Sequence, residues 1–142
     1  MLHIVKLCVG CESLAELAAW QKQRLKEKRA RGHKPELVHV TRMTPKRADE
    51  LLDGGSLYWV IKGQIAARQR LLALRPVKKN GVPHCGLVHD KTLVPVALRP
   101  RRPFQGWRYL EAADAPPDLK RRPGAGSLPE ALQRELAALG LL

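Results

Sequence analysis

No apolar run in this chain approaches the ~20 residues that cross a bilayer as a helix, and the opening MLHIVKLCVG is too short for a signal-peptide core with a cleavage site. Acidic residues are scarce, 13 against 26 Lys and Arg. Cysteines number three, an odd count that fits free thiols in a reducing compartment. No helix-turn-helix or zinc-finger pattern offers a helix to a DNA major groove. No internal repeat or long low-complexity tract is present, and no carboxylate stands at a telling spacing from a His or Ser. These absences lead us to expect a soluble, cytoplasmic protein with no membrane partner, no cofactor and no recognisable catalytic constellation.

What is present is positive charge. A net charge of +13 on 142 residues makes an anionic partner the first expectation, and nucleic acid the commonest such partner. Without a groove-reading element, structured or single-stranded RNA is favoured over duplex DNA. The runner-up is an enzyme or sensor that clamps a small anionic ligand such as a nucleotide.

The stretch from Gly54 to Val77, GGSLYWVIKGQIAARQRLLALRPV, is the centre of the expected fold. At period two, Leu57, Trp59 and Ile61 share one face, and Ser56, Tyr58, Val60 and Lys62 share the other. After Gly63, Ile65, Ala67, Leu71 and Ala73 form an apolar row, with Arg68 and Arg70 opposite. The expectation is a strand pair with one face buried and one cationic. The Ala, Leu, Arg and Gln content of Gln64 to Leu74 also suits a helix, but a strand is expected because no loop intervenes to reorient the chain.

Ahead of it, His3 to Val9 reads as a strand. Ser13 with Glu16 three residues on reads as a helix start, leading to a helix that reaches about Arg31 and stops at Gly32. The second half of that helix carries Lys22, Arg24, Lys26, Lys28, Arg29 and Arg31, read first as a solvated face and second as an auxiliary phosphate-contacting arm. Leu37 to Met43 is a second strand. Thr44 should cap a short helix beginning at Pro45, ended by Asp53-Gly54-Gly55. Downstream, Asn80-Gly81 predicts a hairpin, with strands at Val82 to His89 and Leu93 to Leu98. Pro100 and Pro103 should hold Arg99 to Phe104 extended at the surface or a sheet edge, before a last strand begun by Phe104, Trp107 and Tyr109. The fold class is therefore α+β, a small curved mixed sheet or barrel with two or three flanking helices. The expected division is a domain over 1–115, a Pro/Gly-rich linker over 116–126 and an amphipathic helix over 127–142. The last would pack back on the domain or on a second copy, and oligomeric state is left open.

The candidate nucleic-acid-binding residues are Arg42, Lys62, Arg68, Arg70, Arg101, Arg102, Gln105 and Arg108, with Tyr58 and Trp107 as stacking partners for unpaired bases. Trp59 is assigned to the core by its apolar neighbours. Trp107, set among Gln105, Gly106 and Arg108, suits stacking and core equally. Arg101 and Arg102 beside Arg68 and Arg70 should form one continuous groove with Trp107 at its floor or lip. Cys8-Val9-Gly10-Cys11 has the spacing of a zinc knuckle that His84-Cys85 and His89 could complete, but a single pair is a weak signal and no metal is expected.

YWVIKG, with HVTRMTPKRADELLDGGS upstream and RPRRPFQGWRYL downstream, closely resembles the uncharacterised alphaproteobacterial domain-of-unknown-function family 1489 over roughly residues 2 to 119. That resemblance implies no chemistry. A more distant similarity is to PUA-like domains, including the ASCH type, in the order of a short helix ending at a glycine and a basic strand pair. It implies a small β-barrel with a basic groove that binds RNA or modified nucleotides. The acidic residue of the ASCH pattern is missing from QIAARQR after Gly63, so no catalytic role carries over.

Overall fold

The structure, a computed structural model, describes residues 1–119. In chain order these form β1 (Leu2–Leu7), α1 (Leu14–Ala30), β2 (Leu37–Thr41), α2 (Ala48–Leu52), β3 (Ser56–Ile61), β4 (Gln64–Lys79), β5 (Val82–His89), β6 (Val94–Pro100) and β7 (Trp107–Glu111). The seven strands make one curved sheet in the order β2-β5-β4-β3-β1-β7, with β6 also paired to β4. β1 and β3 are parallel and every other pair is antiparallel, so the sheet is mixed and the class α+β, as expected. No helix among the described residues is long and apolar enough to cross a membrane. The expected helix over 127–142 and most of the expected linker lie outside the described residues.

Two tight turns set the centre of the sheet. Lys62-Gly63 joins β3 to β4 and Asn80-Gly81 joins β4 to β5; all four residues have positive φ, the conformation of a two-residue hairpin whose twist matches its strands. Lys62 therefore sits at a turn tip and not on the strand face expected for it. Gln64 to Leu74 is strand, and the strand runs on to Lys79. β3 and β6 flank the first half of β4, and β5 pairs with the second half.

Both faces of β3 are buried, which corrects the expectation of one apolar and one cationic face. Leu57, Trp59 and Ile61 join Leu2, Ile4, Leu14, Leu17, Leu51 and Leu71 in the main core under α1 and α2. Tyr58 and Val60 join Val5, Ile65, Val96 and Leu110 in a second cluster on the opposite face, closed by Phe104 and Ala115. Irregular pairing between Ile65 and Ala67 moves these two residues to different faces, so the expected single apolar row along β4 is split.

α1 starts as expected: the Ser13 hydroxyl accepts the Glu16 N–H at 3.1 Å, while the Glu16 carboxylate takes the Glu12 N–H at 3.4 Å. Its buried stripe includes Gln21. Thr44 does not cap α2, which begins only at Ala48 with no side-chain cap. The Lys46 and Arg47 N–H groups instead donate to the Tyr109 hydroxyl at 3.0 and 3.1 Å, so a long-range partner supplies the acceptors that the local sequence was expected to provide. Beyond the end of α2 the chain passes β1 at Gly55, where a Cβ would run into the carbonyl oxygens of Leu2 and Leu51.

Candidate functional site

Pairing register sorts the predicted residues by face. Arg108, Val5, Tyr58, Arg68 and Val94 stand in one row across β7, β1, β3, β4 and β6, and side chains in one row share a face. Three strand spacings separate Arg108 from Arg68, about 14 Å between backbones. Arg70 lies two residues further along β4 on that same face. The row ahead of it, Trp107, Lys6, Trp59 and Ala67, points to the other face. Trp107 is thus absent from the surface that carries Arg68, Arg70 and Arg108, which corrects the single groove expected from the sequence.

At one end of the cationic face, Arg68 makes a two-pronged ion pair with Asp118, at 2.7 and 2.6 Å, and also donates to the Ser56 hydroxyl at 3.1 Å. Asp118 reaches β4 because the chain over 115–119 runs along β6: Val96 bridges Asp118, the Ala97 N–H donates to the Pro117 carbonyl and the Leu119 N–H to that of Pro95. The guanidinium holds the Asp118 carboxyl below the ordinary range. Arg68 is therefore largely neutralised and fastens a strap, while Arg70 remains exposed beside an open depression of about 750 Å³ with His3, Ser56 and Asp90. Tyr58 cannot stack on a base as expected, since its ring is 4% exposed and meets His3 edge-on at 5.0 Å.

At the other end, the guanidiniums of Arg101 and Arg108 both lie over the Phe104 ring, 5.4 and 5.2 Å from its centroid. The Arg101 main-chain N–H donates to the Gly63 carbonyl at 2.9 Å, which anchors its backbone, and Arg108 Nη1 donates to the carbonyls of Gln105 and Trp107, which orients its guanidinium. Arg102 and Gln105 are exposed beside them. Among the described residues none of these three arginines pairs with a carboxylate; the ion pairs engage Lys34, Arg47, Lys62, Arg68 and Arg75. Lys62 reaches Glu12 at 3.5 Å from the neighbouring turn. Arg42 stands apart at the end of β2, donating to the Pro83 carbonyl. Pro100 and Pro103 do hold the segment at the edge of β4, as expected, but the last strand starts at Trp107, and Phe104 turns inward as the platform for two cations.

A family model matches residues 4–142, nearly the whole chain and including the C-terminal stretch. The chain belongs to DUF1489. That family is described as a protein of unknown function. No curated protein and no solved structure matches the chain, so the roles of its residues rest on geometry.

The reverse face of this DUF1489 chain carries Trp107 together with residues that no motif in the sequence marks. Trp107 is half-buried, donates from its indole to the Met43 carbonyl at 2.8 Å and meets Tyr109 edge-on at 4.9 Å. Lys6 lies between Trp107 and Trp59 in the row, and burial lowers its pKa. Its signal was available: at period two it is the one cation on the face of Leu2 and Ile4. Beyond it, α1 and the sheet enclose a cavity of about 170 Å³ that includes Trp20, His39, Trp59 and His89. Burial, then the charge of Lys6, pushes the His39 imidazole down to about 4, so it is neutral at pH 7.

Gln69, fully buried, ties this region together. Its amide accepts from Trp59 Nε1 and Gln21 Nε2 and donates to the Gln21 and Asp90 carbonyl oxygens. Burial and the contact with Cys11 raise the Cys8 thiol far above its ordinary range. Among the described residues no three of His, Cys, Asp and Glu converge as metal ligands.

Proposed function

We propose that the protein binds single-stranded RNA along the cationic face of its sheet, with Arg101, Arg102 and Arg108 as the principal contacts and Lys62, Gln105 and Arg70 beside them. The observation that carries this reading is the pair of guanidiniums held over Phe104 with no carboxylate partner among the described residues. The Phe104 ring holds both, and two carbonyls hold the Arg108 guanidinium as well, so part of the side-chain entropy is already lost before any ligand arrives. Planar guanidiniums can pair with phosphate in two-pronged fashion and present flat surfaces to unpaired bases. The Arg68–Asp118 pair takes Arg68 out of the set of phosphate contacts and gives it the role of holding the strap. Trp107 leaves the contact set because it occupies the reverse face.

Fluorescence anisotropy with a labelled single-stranded RNA tests the reading. The Arg101→Ala/Arg102→Ala variant should bind more weakly and melt within a few degrees of the parent, because Arg102 is exposed and half-buried Arg101 loses one cation–π contact of about 0.5 to 1 kcal/mol. Parent-like affinity in that variant and in Arg108→Ala would remove this face as the interface.

A further inference from the structure

The cavity between α1 and the sheet has the size, walls and polar groups of a binding site, and neither the cationic face nor the core accounts for it. Its floor is the Trp59 indole with the His39 ring edge-on against it at 5.2 Å. Its outer wall is Trp20, 39% exposed, whose ring packs toward the turn at Gly10. The volume of about 170 Å³ is close to the roughly 150 Å³ of an apolar cavity that takes up benzene. One aromatic ring fits such a space; a fused pair must project out of it.

The polar groups facing this space point to what the ring carries. His39 Nε2 is buried and has no hydrogen-bond partner among the described residues, a position proteins rarely leave unmet. Lys6 and Arg24 line the cavity, and neither makes an ion pair among the described residues. The Gln21 amide is not available, since both its ends are bound to Gln69. Two cations with no ion pair among the described residues, and the one imidazole nitrogen left without a partner there, call for a ligand with negative charge and with ring atoms that can accept or donate a hydrogen bond.

We propose that this cavity binds one pyrimidine nucleotide, with its base between Trp20 and the Trp59–His39 floor and its phosphate held by Lys6 and Arg24. The choice of a nucleotide over other anionic rings rests on the RNA reading above; the cavity itself lies on the opposite face from Arg101 and Arg108. A free mononucleotide and one base of a bound strand carry the same chemistry, and the experiment separates them.

Isothermal titration of the full chain with UMP, AMP, uridine and inorganic phosphate at one ionic strength tests the site. UMP should bind about tenfold or more tighter than AMP or phosphate, and Trp20→Ala should weaken UMP binding about five- to hundredfold, the range of a lost base stack. Lys6→Met should reduce the advantage of UMP over uridine, and Lys6→Met/Arg24→Met should remove it. A preference for U-rich over A-rich RNA that disappears in Trp20→Ala assigns the cavity to a base of a strand, and UMP binding without such a preference assigns it to the free nucleotide. UMP binding no tighter than phosphate, or unchanged in Trp20→Ala, overturns the proposal. RNA binding that persists in that case leaves the cationic-face reading standing, whereas UMP binding with no affinity for RNA removes that reading and keeps the cavity.

Discussion

Replacing Gln69 with Leu should destabilise the protein by about 3 kcal/mol, although Leu fills most of the same space and no charge is lost. The magnitude follows from what the amide holds. Gln69 is 0% exposed and makes four hydrogen bonds, at 2.8 Å from Gln21 Nε2, 2.9 Å from the Trp59 indole, 2.7 Å to Gln21 Oε1 and 3.1 Å to the Asp90 carbonyl. The substitution leaves the Trp59 N–H and the Gln21 amide buried without partners, each a loss of about 1 to 3 kcal/mol, partly recovered as Gln21 turns toward solvent. Against a total stability of about 5 to 15 kcal/mol this is a large fraction. Urea unfolding followed by tryptophan fluorescence measures it. Adding Gln21→Leu should cost less than the sum of the single changes by about 1 to 2 kcal/mol, because it removes a partner that the first change orphaned. A loss below about 0.5 kcal/mol in Gln69→Leu, or strict additivity, would refute the view that this amide pair fastens α1 to the sheet.

Three further outcomes follow from particular contacts. Gly55→Ala should prevent folding or cost more than about 3 kcal/mol in chemical denaturation, since its Cβ would meet two backbone carbonyls that cannot give way. Acid should destabilise the protein as pH falls from about 6.5 toward 4, because burial lowers the pKa of His3, His39 and His89 in the fold and the unfolded chain takes up protons first; the effect should reach the order of 2 to 3 kcal/mol for His39, whose pKa falls to about 4, and His39→Phe should flatten the profile. The Asp118 carboxylate, depressed by Arg68, contributes stability above its unfolded pKa of about 3.9 and loses it as pH falls through the lower folded value. Asp118→Asn should therefore cost no more than about 1 kcal/mol at pH 7, in keeping with a partly exposed pair, and should speed amide exchange at Ala97 and Leu119.

Local signals carried the elements well and the faces poorly. Ser13 with Glu16, the Asn80-Gly81 turn and the glycines after α2 each act through atoms close in sequence, and each was legible. Period two also separated the two faces of β3. What it could not say is that both are covered, because the second face is closed by Phe104, Ala115 and the strap over 116–119, which come from the far end of the described chain. The same limit explains α2: Thr44 looked like a cap, while the acceptor in use is a hydroxyl 62 residues or more away. Irregular pairing after Ile65 shifted the apolar row by one residue, a change that flips side chains to the opposite face and leaves no mark in composition.

Among the candidate site residues, the arginines of the 101–108 segment were found because prolines kept them at an edge. Trp107 suits stacking and core equally by its neighbours, but it and Arg108 cannot both line that surface, because adjacent strand residues face opposite ways. Lys6, Trp20 and His39 went unmarked because each stands alone in sequence and meets the others only across α1 and the sheet. Arg68 looked free because Asp118, its partner, lies 50 residues on in what read as linker.

The salt dependence of RNA affinity tests the central claim most directly. For the parent protein, the logarithm of the association constant should fall linearly with the logarithm of salt concentration, with a slope near −0.7 per phosphate contacted on a single strand. The Arg101→Ala/Arg102→Ala variant should bind more weakly and with a slope shallower by about one to two units. A parent slope near zero, or an unchanged slope and affinity in the variant, would contradict RNA binding through the cationic face.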